Sequence, residues 1–89
     1  MRKEKHMEHV MAVSTVSGEG FWDGLRRAYV DLPGGVAWRL AVASRDGTRA
    51  VNILTAASTE DVRRIFDSHV GDTAVTEFFE VDAANAVGL

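Results

Sequence analysis

The dipeptide Asp46-Gly47 constrains the fold of this chain most strongly, because it lies between two runs of strand-forming residues. In residues 36–44 and 48–56, large apolar side chains alternate with small ones. Asp-Gly is a preferred pair for a type I′ hairpin turn, in which both central residues need positive φ. The pattern predicts a β-hairpin in which Arg45 faces Thr48, and this register decides which side chains share a face.

The predicted register gives the hairpin two different faces. One face collects large side chains, namely Val36, Trp38, Leu40, Val42, Val51, Ile53 and Thr55. The other is rich in alanine and consists of Ala37, Arg39, Ala41, Ala43, Ala50, Asn52, Leu54 and Ala56. We expect helices to cover only one face of the sheet and to leave the alanine-rich face open, although it is too apolar to face water.

A strand and a helix are predicted before the hairpin. Residues 8–16 are rich in β-forming side chains and predict a strand that ends at the glycine-containing segment 17–20. Residues 21–32 carry apolar side chains at offsets of three and four, which predicts an amphipathic helix. Gly24 weakens this helix by about 1 kcal/mol relative to alanine and allows a close approach to its backbone.

A second helix and a last strand are predicted after the hairpin. Ser58 is a favourable N-cap residue, and Asp61 follows it at the spacing of a capping box. Gly71 is expected to follow the helix as its C′ residue. Residues 73–81 then predict the fourth strand.

The resulting order β-α-β-β-α-β predicts a ferredoxin-like α+β domain with two helices on one face of the sheet. We expect a single domain over residues 8–82, with an unstructured lead-in over residues 1–7 and a loose tail over residues 83–89. Met7 is an alternative biological start to Met1.

Composition favours assembly over cross-linking. The chain has 89 residues and no cysteine, so disulfides and thiolate metal sites do not stabilise its small core. We therefore expect a homodimer in which the open sheet faces stack and leave a cavity between them. The net charge of −3 and the pI of about 5.5 argue against a nucleic-acid partner. No segment has the length and hydropathy of a membrane span or a signal peptide, so the predicted location is cytoplasmic.

Several segments resemble a group of small ferredoxin-like proteins that includes nickel-binding members and belongs to the dimeric α+β barrel class. The segments are residues 35–38, 44–47, 57–65 and 79–81. The resemblance implies a homodimer with the two sheets face to face. It also implies either an interface metal or a cofactor-free activity of the cyclase, isomerase or monooxygenase type. Where metal-binding relatives would carry a first-strand histidine this chain has Ser14, so neither a metal ligand nor a cofactor is assigned.

The expected cavity has few polar groups, and these are the candidate ligand-binding residues Ser14, Arg39 and Asn52. A guanidinium in such a place needs an anionic partner. For Arg39 this partner is either Glu77 or Glu80 in an interface salt bridge, or an acidic or carbonyl-bearing ligand. Ser14 is either a hydroxyl of the cavity or small filler.

Two further residues complete the candidate site. Tyr29 is a core residue or places its hydroxyl at the rim of the pocket. His69 is a general base, since histidine titrates near neutral pH, or a residue favoured by the helix C-terminal dipole. Arg39 and His69 are therefore the candidate catalytic residues.

Three functions stay open from the sequence. The first is a homodimer that binds a small apolar or carbonyl-bearing molecule between its sheets, with or without cofactor-free catalysis. The second is a nickel-type metal-binding protein, which requires His69, His9 or the pair Glu77 and Glu80 to converge across the dimer. The third is an interaction module without a ligand.

Overall fold

The computed structural model describes residues 7–89, so most of the predicted lead-in, residues 1–6, lies outside the described part. The element order agrees with the prediction. The elements are β1 (Glu8–Val16), α1 (Phe21–Val30), β2 (Ala37–Ala43), β3 (Arg49–Ala56), α2 (Thr59–Val70), β4 (Ala74–Glu80) and a short 3-10 helix (Ala83–Asn85). Each predicted strand and helix lies within two residues of its expected bounds.

The strands form one four-stranded antiparallel sheet in the order β2-β3-β1-β4. The protein is therefore a small α+β domain with a four-stranded sheet and two helices. β1 lies at the centre of the sheet between β3 and β4, whereas β2 and β4 form its two edges. The helices contact each other and α2 contacts β1, β3 and β4, so the hydrophobic core lies between the helices and one face of the sheet.

The hairpin register agrees with the prediction close to the turn and changes at Arg39. Ala43 pairs with Ala50 and Leu40 with Ile53, as expected. The register shifts between Trp38 and Leu40, so that Trp38 pairs with Leu54. The shift inserts Arg39 as the extra residue of a β-bulge, which bends the edge strand and changes the face to which neighbouring side chains point.

The predicted type I′ geometry of the turn is wrong. Among the described residues only glycines have positive φ, so Asp46 does not adopt the conformation that a type I′ turn needs, whereas Gly47 has φ +78. The amide of Gly47 donates to the Ser44 carbonyl at 3.0 Å. The Asp46 carboxylate accepts from the amide and hydroxyl of Thr48 and from the Ser44 hydroxyl, and these bonds lower its pKa to about 2, the Thr48 amide contributing most.

The predicted cap of α2 is confirmed. The Ser58 hydroxyl accepts a hydrogen bond from the Asp61 amide at 3.2 Å, which satisfies one of the free donors at the start of the helix. Gly71 follows the helix with φ −60, a right-handed conformation, so it does not act through left-handed geometry. A side chain at Gly71 would instead lie 2.8 Å from the Asp67 carbonyl oxygen.

The structure reverses the expected assignment of the two hairpin faces. Alternate residues of β3 are buried beneath the helices, and they belong to the alanine-rich face, namely Ala50, Asn52, Leu54 and Ala56. The alternate residues of β1 that share this layer are Val10, Ala12 and Ser14. Because of the bulge, Trp38 joins the helix-facing layer and packs on Phe66 with ring centroids 5.8 Å apart.

Side-chain volume explains this reversal. The helices bring large residues to the sheet, namely Phe21, Leu25, Val62, Ile65, Phe66 and Val70. Close packing requires small side chains opposite large ones. The helices therefore pack on the alanine-rich face. The expectation that this face stays open is wrong.

The opposite side, here called the open sheet face, carries the larger apolar residues. Its large apolar residues are Met11, Val13, Leu40, Val42, Val51, Ile53, Val75 and Phe79. The polar residues on the same side are His9, Thr15, Arg49, Thr55 and Glu77. No helix of the described chain covers it, and Val42 and Phe79 keep 47% and 45% of their surface exposed. The described helices are also neither long nor apolar enough to cross a membrane.

The C-terminal tail begins with local structure. The Asp82 carboxylate accepts from the Ala84 amide at 3.1 Å and from the Asn85 side-chain amide at 2.6 Å. Residues 86–89 then line a groove together with Met11 and Ile53. The end of the chain thus lies beside one corner of the open sheet face.

Gly24 is a contact point of the two helices. The sequence predicts a close approach to its backbone, and the structure shows that α2 makes it. A methyl group at this position would lie 2.5 Å from the His69 carbonyl oxygen and 2.7 Å from Val70 Cγ1. Overpacking of this kind costs about 1–3 kcal/mol, more than the gain of about 1 kcal/mol in helix propensity. We expect Gly24→Ala to lower the free energy of unfolding by about 1–2 kcal/mol in urea denaturation.

Gly34→Ala is the matched control, because no atom lies within 4 Å of a methyl group there and its φ is not positive. We expect this change to leave stability unaltered or to raise it by less than about 1 kcal/mol. Equal stability of the two variants would contradict the close helix contact at Gly24.

Candidate functional site

A cleft of about 610 Å³ lies between α1 and the edge strand β2. We call it the α1–β2 cleft and define it by Trp22, Leu25, Arg26, Tyr29, Trp38 and Arg39. The cleft exists because neither described helix covers the outer part of β2. Ala41 of β2 is therefore exposed, although its neighbours on the same face of β3 are buried. Its volume lies in the range typical of small-molecule sites, about 300–1,000 Å³.

Aromatic side chains form the walls of the cleft. Tyr29 and Trp38 meet edge to face with ring centroids 6.3 Å apart. Trp22 packs against the buried Phe21 in the same manner at 5.6 Å. The Trp38 indole Nε1 donates to Asn52 Oδ1 at 3.1 Å, which fixes the orientation of this ring. The walls are thus anchored to the core.

Two arginines lie at the mouth of the cleft, and their surroundings differ. Arg26 pairs with Asp23 at 3.1 Å on the exposed side of α1. Arg39 is exposed at the bulge and makes no ion pair within residues 7–89. None of the residues that line the cleft is acidic. The cleft therefore combines an apolar interior with a positive rim.

The candidate ligand-binding residues do not form one site. Arg39 and Tyr29 line the α1–β2 cleft. Ser14 and Asn52 are fully buried in the core layer instead. Ser14 shares a hydrogen bond of 2.8 Å with the Thr76 hydroxyl, and Asn52 accepts from Trp38. The expectation that Ser14 and Asn52 line a cavity on the open side of the sheet is wrong, because both lie on the side that the helices cover.

Glu77 and Glu80 belong to β4, whereas Arg39 belongs to β2 at the opposite edge of the sheet. Arg39 nevertheless lines a second groove together with Glu80 and Asp82, although it forms no ion pair with them among residues 7–89. The interface salt bridge expected for Arg39 needs a second copy of the chain and stays a prediction.

His69 lies away from Arg39. It lines a separate groove with Asp31 and Pro33. Its Nδ1 lies 2.9 Å from the Ile65 carbonyl oxygen and donates to it, while its Nε2 lies 3.9 Å from Asp31 Oδ2. These contacts tie the ring to the last turn of α2, where the helix dipole favours a positive charge. Arg39 and His69 thus do not form a catalytic pair within one chain.

The described residues contain no group of three or more histidines, cysteines or acidic residues close enough to hold a metal ion. His9 and Glu77 both lie on the side of the sheet that the helices leave open, His9 near the start of β1 and Glu77 in the middle of β4, where it pairs with Val13. A metal site made of these groups would need ligands from a second molecule.

Sequence reasoning missed four residues of the cleft, namely Trp22, Leu25, Arg26 and Trp38. Trp22, Leu25 and Tyr29 follow one another at offsets of three and four, a pattern that we assigned mostly to the core, with Tyr29 as the one candidate for a pocket rim. The structure buries Leu25 but leaves Tyr29 62% exposed, so the stripe extends beyond the edge of the sheet. An excess of aromatic residues at the end of an amphipathic stripe is the signal that would have found the cleft.

The arrangement is suited to binding an apolar molecule whose polar end reaches an arginine. Aromatic walls supply contact area, and a guanidinium presents paired donors to a carbonyl or an anion. Comparison of the chain with protein-family models, curated proteins and solved structures finds no match.

Proposed function

We propose that the protein is a homodimer of ferredoxin-like domains that binds a small apolar or carbonyl-bearing molecule. The two open sheet faces pack against each other in this dimer, as in a dimeric α+β barrel. The observation that carries the proposal is the apolar character of the open sheet face, which differs from the alanine-rich face expected from the sequence.

The size of the open sheet face supports this assembly. Four strands about 4.8 Å apart and about 25 Å long give a face of about 500 Å² in projection. The accessible surface of side chains exceeds this projection and approaches the roughly 600 Å² per partner of the smallest stable interfaces. A face of this size is comparable to the largest apolar patch of a typical monomer, about 300–600 Å², and such patches are often interaction sites.

The charges around the open sheet face favour a second copy as the occupant. Arg49 pairs with Thr15, and Glu77 pairs with Val13, which places both charges on this side of the sheet. They lie on β3 and β4, with β1 between them. A two-fold interface presents the same surface twice, so a face with one charge of each sign is complementary to itself.

Binding is favoured over catalysis in this proposal. Arg39 and His69 line different clefts, so a single chain does not assemble an acid–base pair. A cofactor-free reaction would have to depend on positioning and on Arg39 alone. We therefore propose a binding protein, with the cyclase, isomerase or monooxygenase type of activity as a secondary hypothesis.

Sedimentation equilibrium of the full chain between about 1 and about 100 µM tests the assembly. We expect a mass of twice 9.7 kDa over most of this range. A mass that stays at 9.7 kDa at every concentration would overturn the proposed homodimer.

A further inference from the structure

We infer that the α1–β2 cleft binds an amphipathic carboxylate, meaning a flat or branched apolar body with one carboxylate group, and that Arg39 binds the carboxylate. The inference deepens the small-molecule part of the proposed function and depends on it. It does not depend on the dimer, because the cleft belongs to a single chain.

The apolar body of the ligand follows from the walls of the cleft. Trp22, Tyr29 and Trp38 present ring faces and edges around a space of about 610 Å³. Rings whose positions are fixed by Phe21 and by Asn52 do not have to be ordered on binding. Preorganised walls of this kind favour a rigid apolar group, because less conformational entropy is lost.

The carboxylate follows from the charges at the rim. Arg26 is already paired with Asp23, whereas Arg39 has no ionic partner within residues 7–89. A guanidinium binds a carboxylate through two parallel hydrogen bonds. A singly charged head group also suits a cleft with one unpaired cation better than a doubly charged phosphate ester does.

The β-bulge is an independent observation in favour of Arg39. Bulges redirect a side chain and are enriched beside functional sites. Here the bulge separates Trp38, which packs into the core, from Leu40, which belongs to the open sheet face. Arg39 therefore lies at the edge of β2 between the two surfaces, where it lines the cleft. It also borders grooves formed with the C-terminal tail, but it makes no ion pair there among residues 7–89.

The cleft stays accessible in the proposed homodimer. Its walls belong to α1 and to the helix-facing side of β2, whereas the dimer uses the opposite side of the sheet. Leu40 is the one residue of the open sheet face that also borders the cleft. Ligand binding and dimer formation therefore use different surfaces and can be tested by separate measurements.

Isothermal titration calorimetry with 2-naphthoate and neutral 2-naphthamide tests the inference on the full chain. We expect 2-naphthoate to bind at least about 10-fold more tightly than the amide. Arg39→Ala should weaken naphthoate binding about 10- to 100-fold and change amide binding less than about 3-fold. Arg39→Lys keeps the charge but not the paired donors, so its affinity for naphthoate should lie between those of the wild type and Arg39→Ala. This variant keeps the test valid if Arg39→Ala fails to fold.

Two variants serve as controls. Trp22→Ala should weaken both probes, because it removes a wall and leaves the cation. Arg45→Ala changes an exposed arginine in the hairpin turn, outside the cleft, and should change neither affinity.

Three results would overturn the inference. These are absence of saturable binding of naphthoate, equal affinity for naphthoate and amide, and an Arg39-dependent preference for 2-naphthyl phosphate. Loss of binding in a protein that still sediments as a dimer would reject the cleft and keep the proposed assembly. Arg39-dependent binding of naphthoate to a monomer would keep the cleft and reject the proposed homodimer.

Discussion

Val51→Glu is expected to convert the proposed homodimer into a folded monomer. Val51 lies on β3 in the middle of the open sheet face, where it pairs with Val42 and Val13. In the monomer the new carboxylate faces water, and the expected loss is about 1 kcal/mol of strand propensity. In the dimer two unpaired carboxylates are buried, each costing several kcal/mol. The dimer dissociation constant should rise at least about 1,000-fold in sedimentation experiments.

Val30→Glu is the matched control for this prediction. Val30 is 81% exposed on α1, away from the open sheet face, so the same chemical change there should leave the dissociation constant unchanged. A Val51→Glu protein that dimerises as tightly as the wild type would show that another surface holds the dimer together.

Phe66→Ala is expected to remove most of the stability of the domain. Phe66 is 2% exposed, and its ring lies 5.8 Å from Trp38 and 5.7 Å from Phe78. Deletion of a buried phenylalanine costs about 3–5 kcal/mol. A domain of this size has a total stability of about 5–10 kcal/mol. Urea denaturation should therefore show a free energy of unfolding that is lower by about 3–5 kcal/mol.

Phe79→Ala is a control with the same chemistry on the opposite side of the sheet. Phe79 keeps 45% of its surface exposed, so its removal should cost less than about 1 kcal/mol in the monomer. Both phenylalanine variants are best made in the Val51→Glu protein, where dimer formation does not add to the measured stability. Similar losses at the two positions would contradict the assignment of the core to the alanine-rich face.

The order of the elements was predictable because each one carries a local signal. The three-and-four spacing in α1, the Ser58 cap and the Asp46-Gly47 turn each depend on residues close together in sequence. Local patterns of this kind decide where helices and strands begin and end. The structure confirms them to within two residues.

The face that the helices cover was not predictable from strand alternation alone. Alternation divides β3 into two sets, but it does not say which set meets the helices. The decision depends on volume across the core, where large residues such as Phe21 and Phe66 face small ones such as Ala50 and Ala56. Comparing the sizes of the helix stripes with the two strand sets would have given the observed answer.

The candidate site was only partly predictable, because its position depends on the bulge. Regular alternation places Arg39 and Asn52 on one face, whereas the inserted residue separates them and brings Trp38 under the helices. Nothing in the sequence of β2 marks the bulge. Arg39 and Tyr29 were identified from their chemistry, but their common cleft with Trp22 becomes visible only when α1 is placed beside β2.

Intermolecular methyl NOEs in a mixed labelled dimer test most directly whether two open sheet faces touch. The chain has two isoleucines. Ile53 lies on the open sheet face, and Ile65 lies on the core-facing side of α2. We predict isotope-filtered NOEs from the Ile53 δ1 methyl to protons of the partner molecule, and none from Ile65. Partner contacts confined to helix residues, with Ile53 showing none, would contradict the account.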